Sequence, residues 1–375
     1  LLSMLENYYD VLKASEFERL FGELEIFKNP TEKHNQYFVM KWDFSVVESQ
    51  DEIKGLRKAL HDHLNNQMRR FAERYHDYFS YTIRIDEDNA ISSFESALIA
   101  ISQTPYRLYL LIDEYDNFAN DLMMGKGETN PERYKTLLST EGSLKALFRA
   151  VKSASSGAGL ERVFITGVSP VLMSDITSAY NVAENIYSQP EFNDVCGFRE
   201  SELESVVNHI VTECKLSPEK EQEALNMMQT FYNGYCFSVN VNELVYNPTL
   251  VLYFLKYFQR YAQFPRQMLD DNLAMDLNLS YLSRFSNGRV IIRQALDGTP
   301  PLVLSLLANR FGVDQMLKKT QSNQFIISLL YYLGVLTLDG ETELRQLRFK
   351  IPNLVVKKIY VEHLSEMLLP KELER

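Results

Sequence analysis

The chain has 375 residues, a length that points to two or three domains. Hydrophobic residues make up 45% and aromatic residues 12%, which is ample for packed cores and excludes a disordered chain. A net charge of −11 argues against a mainly electrostatic grip on nucleic acid and leaves room only for a local basic patch.

The chain begins inside an apolar helical pattern. Leu2, Leu5, Tyr9 and Leu12 recur at three- and four-residue spacing and predict a helix over 1–12. There is no initiator Met, no cap and no basic n-region of a signal peptide, so the expectation is a chain that lacks its true beginning. A second short helix is expected at 16–20, and Asn29-Pro30 marks a loop. The aromatic-rich stretch 37–44 (Y-F-V-M-K-W-D-F) reads as a strand. It ends in Asp43-Phe44-Ser45, where a polar stretch opens. Residues 50–79 read as a long amphipathic helix in one or two pieces, and 92–101 as a helix leading into the next strand.

That strand, 108–116, reads L-Y-L-L-I-D-E-Y-D. Five apolar or aromatic residues run without a break into two acids, after a turn signal at Thr104-Pro105. The pattern fits a strand buried on both faces of a parallel sheet. Asp113 and Glu114 then fall at its carboxyl end, the edge where open α/β sheets bind ligands. An apolar strand ending in Asp-Glu is the pattern of a Walker B segment. There the Asp helps hold Mg²⁺ beside a nucleotide phosphate, and the Glu orients or deprotonates the attacking water. The same residues also read as a buried strand that meets solvent with two charges, so the neighbours decide.

Residues 117–130 are expected to be a connector. Its Gly125-Lys126-Gly127 lacks the G-x-x-x-x-G-K-[ST] spacing of a phosphate loop. Residues 131–152 read as helical and 153–159 as a small-residue linker. The next buried strand, 162–167 (R-V-F-I-T-G), ends at Thr166-Gly167. This alternation predicts a parallel α/β sheet through about residue 198. Helices are then expected at 199–215 and from Ser217-Pro218 to Tyr232, the latter with a capping Ser and Pro at the first position. A short hairpin at 235–246 and a very apolar helix from Asn247-Pro248 follow, completing a helical subdomain. In the last third an apolar helix at 324–333 precedes strands at 335–338 and 347–351 around an Asp339-Gly340 turn. An amphipathic helix at 352–369 closes the chain, and the order fits a winged-helix module.

Cys196, Cys214 and Cys236 are widely spaced with no C-x-x-C. They read as free thiols of a reducing compartment, each a small core residue. No apolar run approaches the roughly 18 residues that span a bilayer, and an intracellular, cytoplasmic protein without membrane contact is expected. His61-x-His63 lies in a helix, where positions i and i+2 point apart and do not chelate one metal. Lys357-Lys358 is a basic doublet on the winged-helix segment that offers a contact to DNA backbone.

Several markers in order resemble one family. They are L-L-S-M-L-E-N-Y-Y-D (1–10), K-W-D-F-S (41–45), L-I-D-E-Y-D (111–116) and V-F-I-T-G-V-S-P (163–170). P-E-F-N-D-V-C-G-F (190–198), Y-N-G-Y-C-F (232–237), V-Y-N-P (245–248), L-Y-Y-L-G-V-L-T-L (330–338) and I-P-N (351–353) follow. Over nearly the whole chain this resembles the predicted AAA-ATPase-like proteins, P-loop ATPases that often carry a PD-(D/E)XK nuclease-like domain downstream. The resemblance implies an α/β P-loop NTPase-like parallel sheet core at 1–198, a helical lid subdomain at 199–268 and a winged-helix-like domain at 269–375. It implies ATP and Mg²⁺ as ligands. Asp113 matches the Mg²⁺-side acid and Glu114 the catalytic base. Thr166 matches a polar sensor for the γ-phosphate, or equally is a β-branched residue before a Gly turn. Asp116 reaches the same pocket or caps the following loop. Arg133, Arg149 and Arg162 are candidates for an arginine finger, and nothing selects among them.

In that family L-L-S-M-L follows directly on a phosphate loop resembling P-R-R-F-G-K-S. The loop is therefore expected just before Leu1, and the chain as it stands is expected to bind ATP poorly. The longer protein is expected to hydrolyse ATP and to switch an attached effector such as a nuclease-like domain. No buried Asp paired with an E-x-K strand is visible in the 375 residues. The alternative is a non-catalytic scaffold or a DNA-binding module on a degenerate P-loop fold. A nucleotide and a second copy of the chain are the other expected partners.

Overall fold

The computed structural model describes residues 1–46, 53–117, 143–167, 184–241, 243–269, 287–308, 311 and 321–368. Gly125-Lys126-Gly127, Arg133 and most of the helix expected at 131–152 lie outside them. The chain divides into two compact units, Leu1–Ala183 with Arg310–Leu317, and Glu184–Asn309 with Lys318–Arg375.

The first unit is built on a three-stranded parallel sheet in the order β1 (Tyr37–Asp43), β2 (Arg107–Asp113), β3 (Leu160–Ile165). The expected strands at 37–44, 108–116 and 162–167 are thus present and parallel. The central strand β2 is the unbroken apolar run, and Leu108, Leu110, Leu111 and Ile112 are completely buried. It stops at Asp113 because Glu114 turns into the left-handed region at φ 53°, which no strand continues through.

Period-two alternation divides the sheet into two faces. On one face Tyr37, Val39, Tyr109 and Leu111 form a buried cluster against which Leu2, Leu5, Tyr9 and Phe164 pack. These bring in helix α1 (Leu2–Tyr9). It is shorter than the 1–12 expected, because Asp10 adopts extended backbone and its Oδ1 accepts from Leu12 N–H at 2.9 Å, opening a 3-10 turn over Val11–Glu16. The end of α1 lies at the amino edge of the sheet, since Asp10 bridges Tyr37 and the Tyr9 ring meets those of Tyr37 and Tyr109. Its first turn is accordingly the end nearer the carboxyl edge.

The other face carries Phe38, Met40 and Trp42. Helix α2 (Phe17–Phe21) and helix α3 (Glu25–Lys28) follow α1 in the chain. Helix α4 (Ile53–Arg74) and the turn after it surround the Phe38 ring with Phe71, Tyr75 and Tyr78, at centroid distances of 6.3, 4.8 and 5.4 Å. Each such aromatic pair adds about 0.5–1.5 kcal/mol beyond its buried area. Helix α5 (Ala90–Ser102) sets Phe94 edge-on against Trp42 at 5.1 Å. Tyr75 also closes the outer edge of β1: its hydroxyl accepts from Val39 N–H at 3.0 Å and faces Val39 O at 3.4 Å. A buried edge strand would otherwise leave both backbone groups unpaired. Helix α6 (Ser143–Ser155) precedes β3.

The second unit contains helices α7 (Glu200–Glu213), α8 (Glu219–Tyr232) and α9 (Pro248–Tyr261). Asn247 caps α9, its side chain accepting from Thr249 and Leu250 N–H at 3.0 and 3.2 Å, with Pro248 at the first position. Helix α10 (Gly288–Asp297), strand β4 (Leu302–Leu304), helix α11 (Asn323–Tyr332), strands β5 (Thr337–Glu341) and β6 (Leu347–Lys350), and helix α12 (Leu354–Leu368) complete it. The strands form an antiparallel sheet in the order β4-β6-β5.

Three expectations are corrected here. The reversal between β5 and β6 lies at 342–346, where Thr342 N–H donates to Gln346 O at 2.9 Å. Asp339-Gly340 sits inside β5 as a bulge, with Gly340 at φ 75° and the register broken between Leu338 and Glu341. The hairpin expected at 235–246 is reduced, among the described residues, to a single antiparallel bridge of Tyr235 with Val245, and Tyr246 bridges Phe198 instead. Of the three free cysteines only Cys236 is buried; Cys214 is partly covered and Cys196 is exposed. Among the described residues no helix is long and apolar enough to cross a membrane.

Candidate functional site

The parallel register decides which side chains meet at the carboxyl edge of the first sheet. Asp43 pairs directly with Asp113, and Ile112 with Ile165. Thr166, one residue beyond β3, therefore comes level with Asp113. Its Oγ1 donates to Asp113 Oδ1 at 2.6 Å and faces Ile112 O at 3.4 Å. Thr166 N–H donates to Ile112 O at 2.8 Å, which continues the ladder and holds the hydroxyl in place.

Lys41 lies two residues before Asp43, hence on the same face. Its Nζ is 3.2 Å from Asp113 Oδ2 and 3.6 Å from Asp43 Oδ2. Burial opposes its charge, but the two carboxylates outweigh burial and raise the lysine's pKa. Asp43 also accepts at Oδ1 from Ser45, through the hydroxyl at 2.6 Å and the backbone N–H at 3.1 Å. Burial pushes the Asp43 carboxyl up, and these hydrogen bonds together with Lys41 pull it below its ordinary value.

Glu114 is treated in the opposite way. Burial pushes its carboxyl up, and the charges of Asp116, Asp113 and Asp43 add to that. A non-glycine residue in the left-handed region costs of order 1 kcal/mol and persists where its surroundings hold it. Here the holding contacts are Asn117 N–H to Glu114 O at 3.0 Å and Tyr115 N–H to Thr166 O at 3.3 Å. Asp116 is completely buried and Tyr115 nearly so.

The structure thus brings Asp113 and Thr166 into contact and sets Glu114 next to them. Sequence reading did not pick out Lys41, Asp43 or Ser45 as site residues. Lys41, Asp43 and Ser45 alternate there with Trp42 and Phe44, and nothing local pairs them with Asp113. Arg162 stands near the other end of β3, level with Tyr109, with its guanidinium beside the Tyr37 hydroxyl and Glu161. The two histidines of His61-x-His63 are separately engaged, His61 Nδ1 accepting from Ala90 N–H at 3.0 Å while His63 is near Asp43. Burial lowers the pKa of both.

The donors at this edge are oxygens only: the partly exposed Asp113 and Asp43 carboxylates and the Thr166 hydroxyl. Among the described residues no group of three or more His, Cys, Asp or Glu is placed to hold a metal. Such a donor set suits Mg²⁺, which keeps several waters and takes one or two carboxylates together with phosphate oxygens.

A parallel sheet flanked by helices, with acids gathered at its carboxyl edge, defines an α/β protein of the kind that binds its ligand at that edge. Residues 1–177 match the profile of a family described as predicted AAA-ATPase, which supports an AAA-ATPase-like reading of that segment. Nucleotide and Mg²⁺ are the ligands such a family implies in general. No curated protein and no solved structure matches the chain.

Proposed function

We propose that the first unit is the nucleotide-hydrolysing core of an ATPase, with its site at the carboxyl edge of β1–β3. The observation that carries this reading is Asp113 at the end of the central strand, its carboxylate oriented by Thr166 at 2.6 Å, with Glu114 beside it. Asp113 is the residue that would hold Mg²⁺, and Thr166 fixes its carboxylate and can turn its hydroxyl toward a terminal phosphate. Mg²⁺, when bound, neutralises phosphate charge and steadies the reacting oxygens. Glu114 accepts the proton of the attacking water. Its raised pKa makes it a stronger proton acceptor than an ordinary carboxylate. The first turn of α1, the helix end with unpaired N–H groups, lies toward this edge and favours an anion there.

The finer assignments follow from element order. Helices α7–α9 form the helical subdomain that the family resemblance reads as a lid. The order α10, β4, α11, β5, β6, α12 with β6 central supports a winged-helix-like domain. Hydrolysis at this site would switch an attached effector such as a nuclease-like domain. The test is Mg²⁺-dependent ATP turnover by protein that carries the phosphate loop expected ahead of Leu1, with Glu114→Gln beside the parent. A general base contributes about 10²–10⁴-fold, so Glu114→Gln should lose at least 100-fold. Equal turnover in the two removes Glu114 from the mechanism.

A further inference from the structure

We infer that Lys41 is a built-in counter-ion of this site, occupying the cation position between Asp43 and Asp113 and setting how tightly a divalent cation can bind there. The inference rests on the reading of Asp113 as the metal-side acid.

Both carboxylate oxygens of Asp113 already have partners. Oδ1 accepts from Thr166 at 2.6 Å and Oδ2 faces the Lys41 ammonium at 3.2 Å. The Thr166 hydroxyl sits on a short side chain whose backbone continues the sheet ladder, so that partner stays at the edge. The Lys41 partner is not held in this way. Its side chain is 38% exposed, and those of Asp43 and Asp113 are 31% and 27% exposed. A four-carbon stem on a solvent-facing position swings readily. Lys41 also faces Asp43 Oδ2 at 3.6 Å, so one ammonium bridges two in-register carboxylates on neighbouring strands.

Four acids, Asp43, Asp113, Glu114 and Asp116, share this edge, and among the described residues Lys41 is the cation in contact with Asp43 and Asp113. Like charges so close are unfavourable unless a cation lies among them. Lys41 supplies that cation in the metal-free protein. A divalent ion binding Asp113 must take Oδ2 from it, and the freed ammonium then lies where phosphate charge arrives. The site is therefore poised against metal alone and toward metal that comes with an anion.

The probe is Mn²⁺ without nucleotide, its free concentration read by electron paramagnetic resonance, on the full chain. Removing one positive charge about 5 Å from a divalent ion, in nearly bulk-water surroundings, is worth on the order of tenfold in affinity. Lys41→Met, which keeps most of the stem, should bind Mn²⁺ about tenfold tighter than the parent, with the gain shrinking at high salt. Lys41→Gln should do the same if the methionine chain folds poorly. Lys41→Arg should stay near the parent, and Asp113→Asn should weaken Mn²⁺ binding in both the parent and the Lys41→Met background. If Lys41→Met and Lys41→Gln bind no tighter while Asp113→Asn weakens binding, the counter-ion role is overturned and the metal-side reading of Asp113 stands. If Asp113→Asn changes nothing, or no variant binds Mn²⁺, the metal-side reading fails and the role of Lys41 with it.

Discussion

Gly167 is the residue on which the packing at the carboxyl edge can be tested most directly. It follows Thr166, and a side chain there meets two neighbouring residues. A Cβ would lie 2.4 Å from Asp116 Oδ1 and 2.5 and 2.7 Å from two ring carbons of Tyr115. Favourable non-bonded contacts lie at about 3.5–4.0 Å, so the overlap is about 1 Å with each residue. Tyr115 is 5% exposed and Asp116 0%, which leaves neither side chain free to swing into solvent. Tyr115 N–H also donates to Thr166 O at 3.3 Å, so the two segments cannot part without losing that bond.

Gly167→Ala must therefore move backbone. Overpacking of this kind costs about 1–3 kcal/mol, and two buried obstacles place the expected loss at about 2 kcal/mol or more. The chain has a single tryptophan. It is Trp42, completely buried in β1, so its emission during urea unfolding reports the first unit without the second. With a urea slope of about 2 kcal/mol/M, the midpoint should fall by about 1 M. Mn²⁺ affinity should fall with it, because the displaced segment carries Glu114 and adjoins Asp113. A midpoint within about 0.2 M of the parent would show that Tyr115 and Asp116 do not pack beneath residue 167.

Other substitutions separate the remaining contacts. Tyr75→Phe leaves Val39 N–H and C=O at the edge of β1 without their hydroxyl partner, and should destabilise the first unit by about 1–3 kcal/mol in the same urea assay; an unchanged midpoint would mean that water reaches that edge. Thr166→Val keeps the shape and removes the 2.6 Å bond to Asp113. With the Asp113 side chain 27% exposed, about 1 kcal/mol is expected, restored by Thr166→Ser; a valine variant as stable as the parent would dismiss that bond as a positioning contact. The Glu114 carboxyl is raised above its ordinary value near 4.5, so the stability it contributes is complete below that pH and is lost as pH rises through the folded value. Glu114→Gln should therefore gain on the parent between pH 4 and pH 7 in urea midpoint. A gain in the opposite direction would contradict the repulsion among Asp43, Asp113, Glu114 and Asp116.

What could be seen in the sequence was whatever a short window encodes. The run Leu108–Ile112 announces a strand buried on both faces, and the two acids after it mark where the strand leaves the core. Asp339-Gly340 shows the limit of such windows. The dipeptide suits a tight turn, but here it is a bulge, held by the Arg348 guanidinium donating to Asp339 O at 3.0 and 2.7 Å, while the reversal comes at 342–346. Strand β4 spans three residues, too few for any alternation to register. The partnership of Lys41 and Asp43 with Asp113 has no local signature at all, because it depends on pairing residues 70 apart in the chain.

That pairing is nevertheless dictated by residues far from the chemistry. Side chains alternate along β1, so a slip of one residue would exchange its two faces. Phe38 in its aromatic cage and Trp42 against Phe94 bind one face to α4 and α5, and both rings are fully buried there. They therefore fix the register that sets Asp43 opposite Asp113 and carries Lys41 to the same face. The candidate site is in this sense a consequence of the core: the apolar residues of β1 choose the alignment, and the polar residues between them inherit their positions. Trp42→Leu should accordingly loosen the carboxyl edge as well as the core, and weaken Mn²⁺ binding although residue 42 faces away from the acids. If Mn²⁺ affinity is untouched while the core is measurably less stable by calorimetry, the register is held by the strand pairing alone.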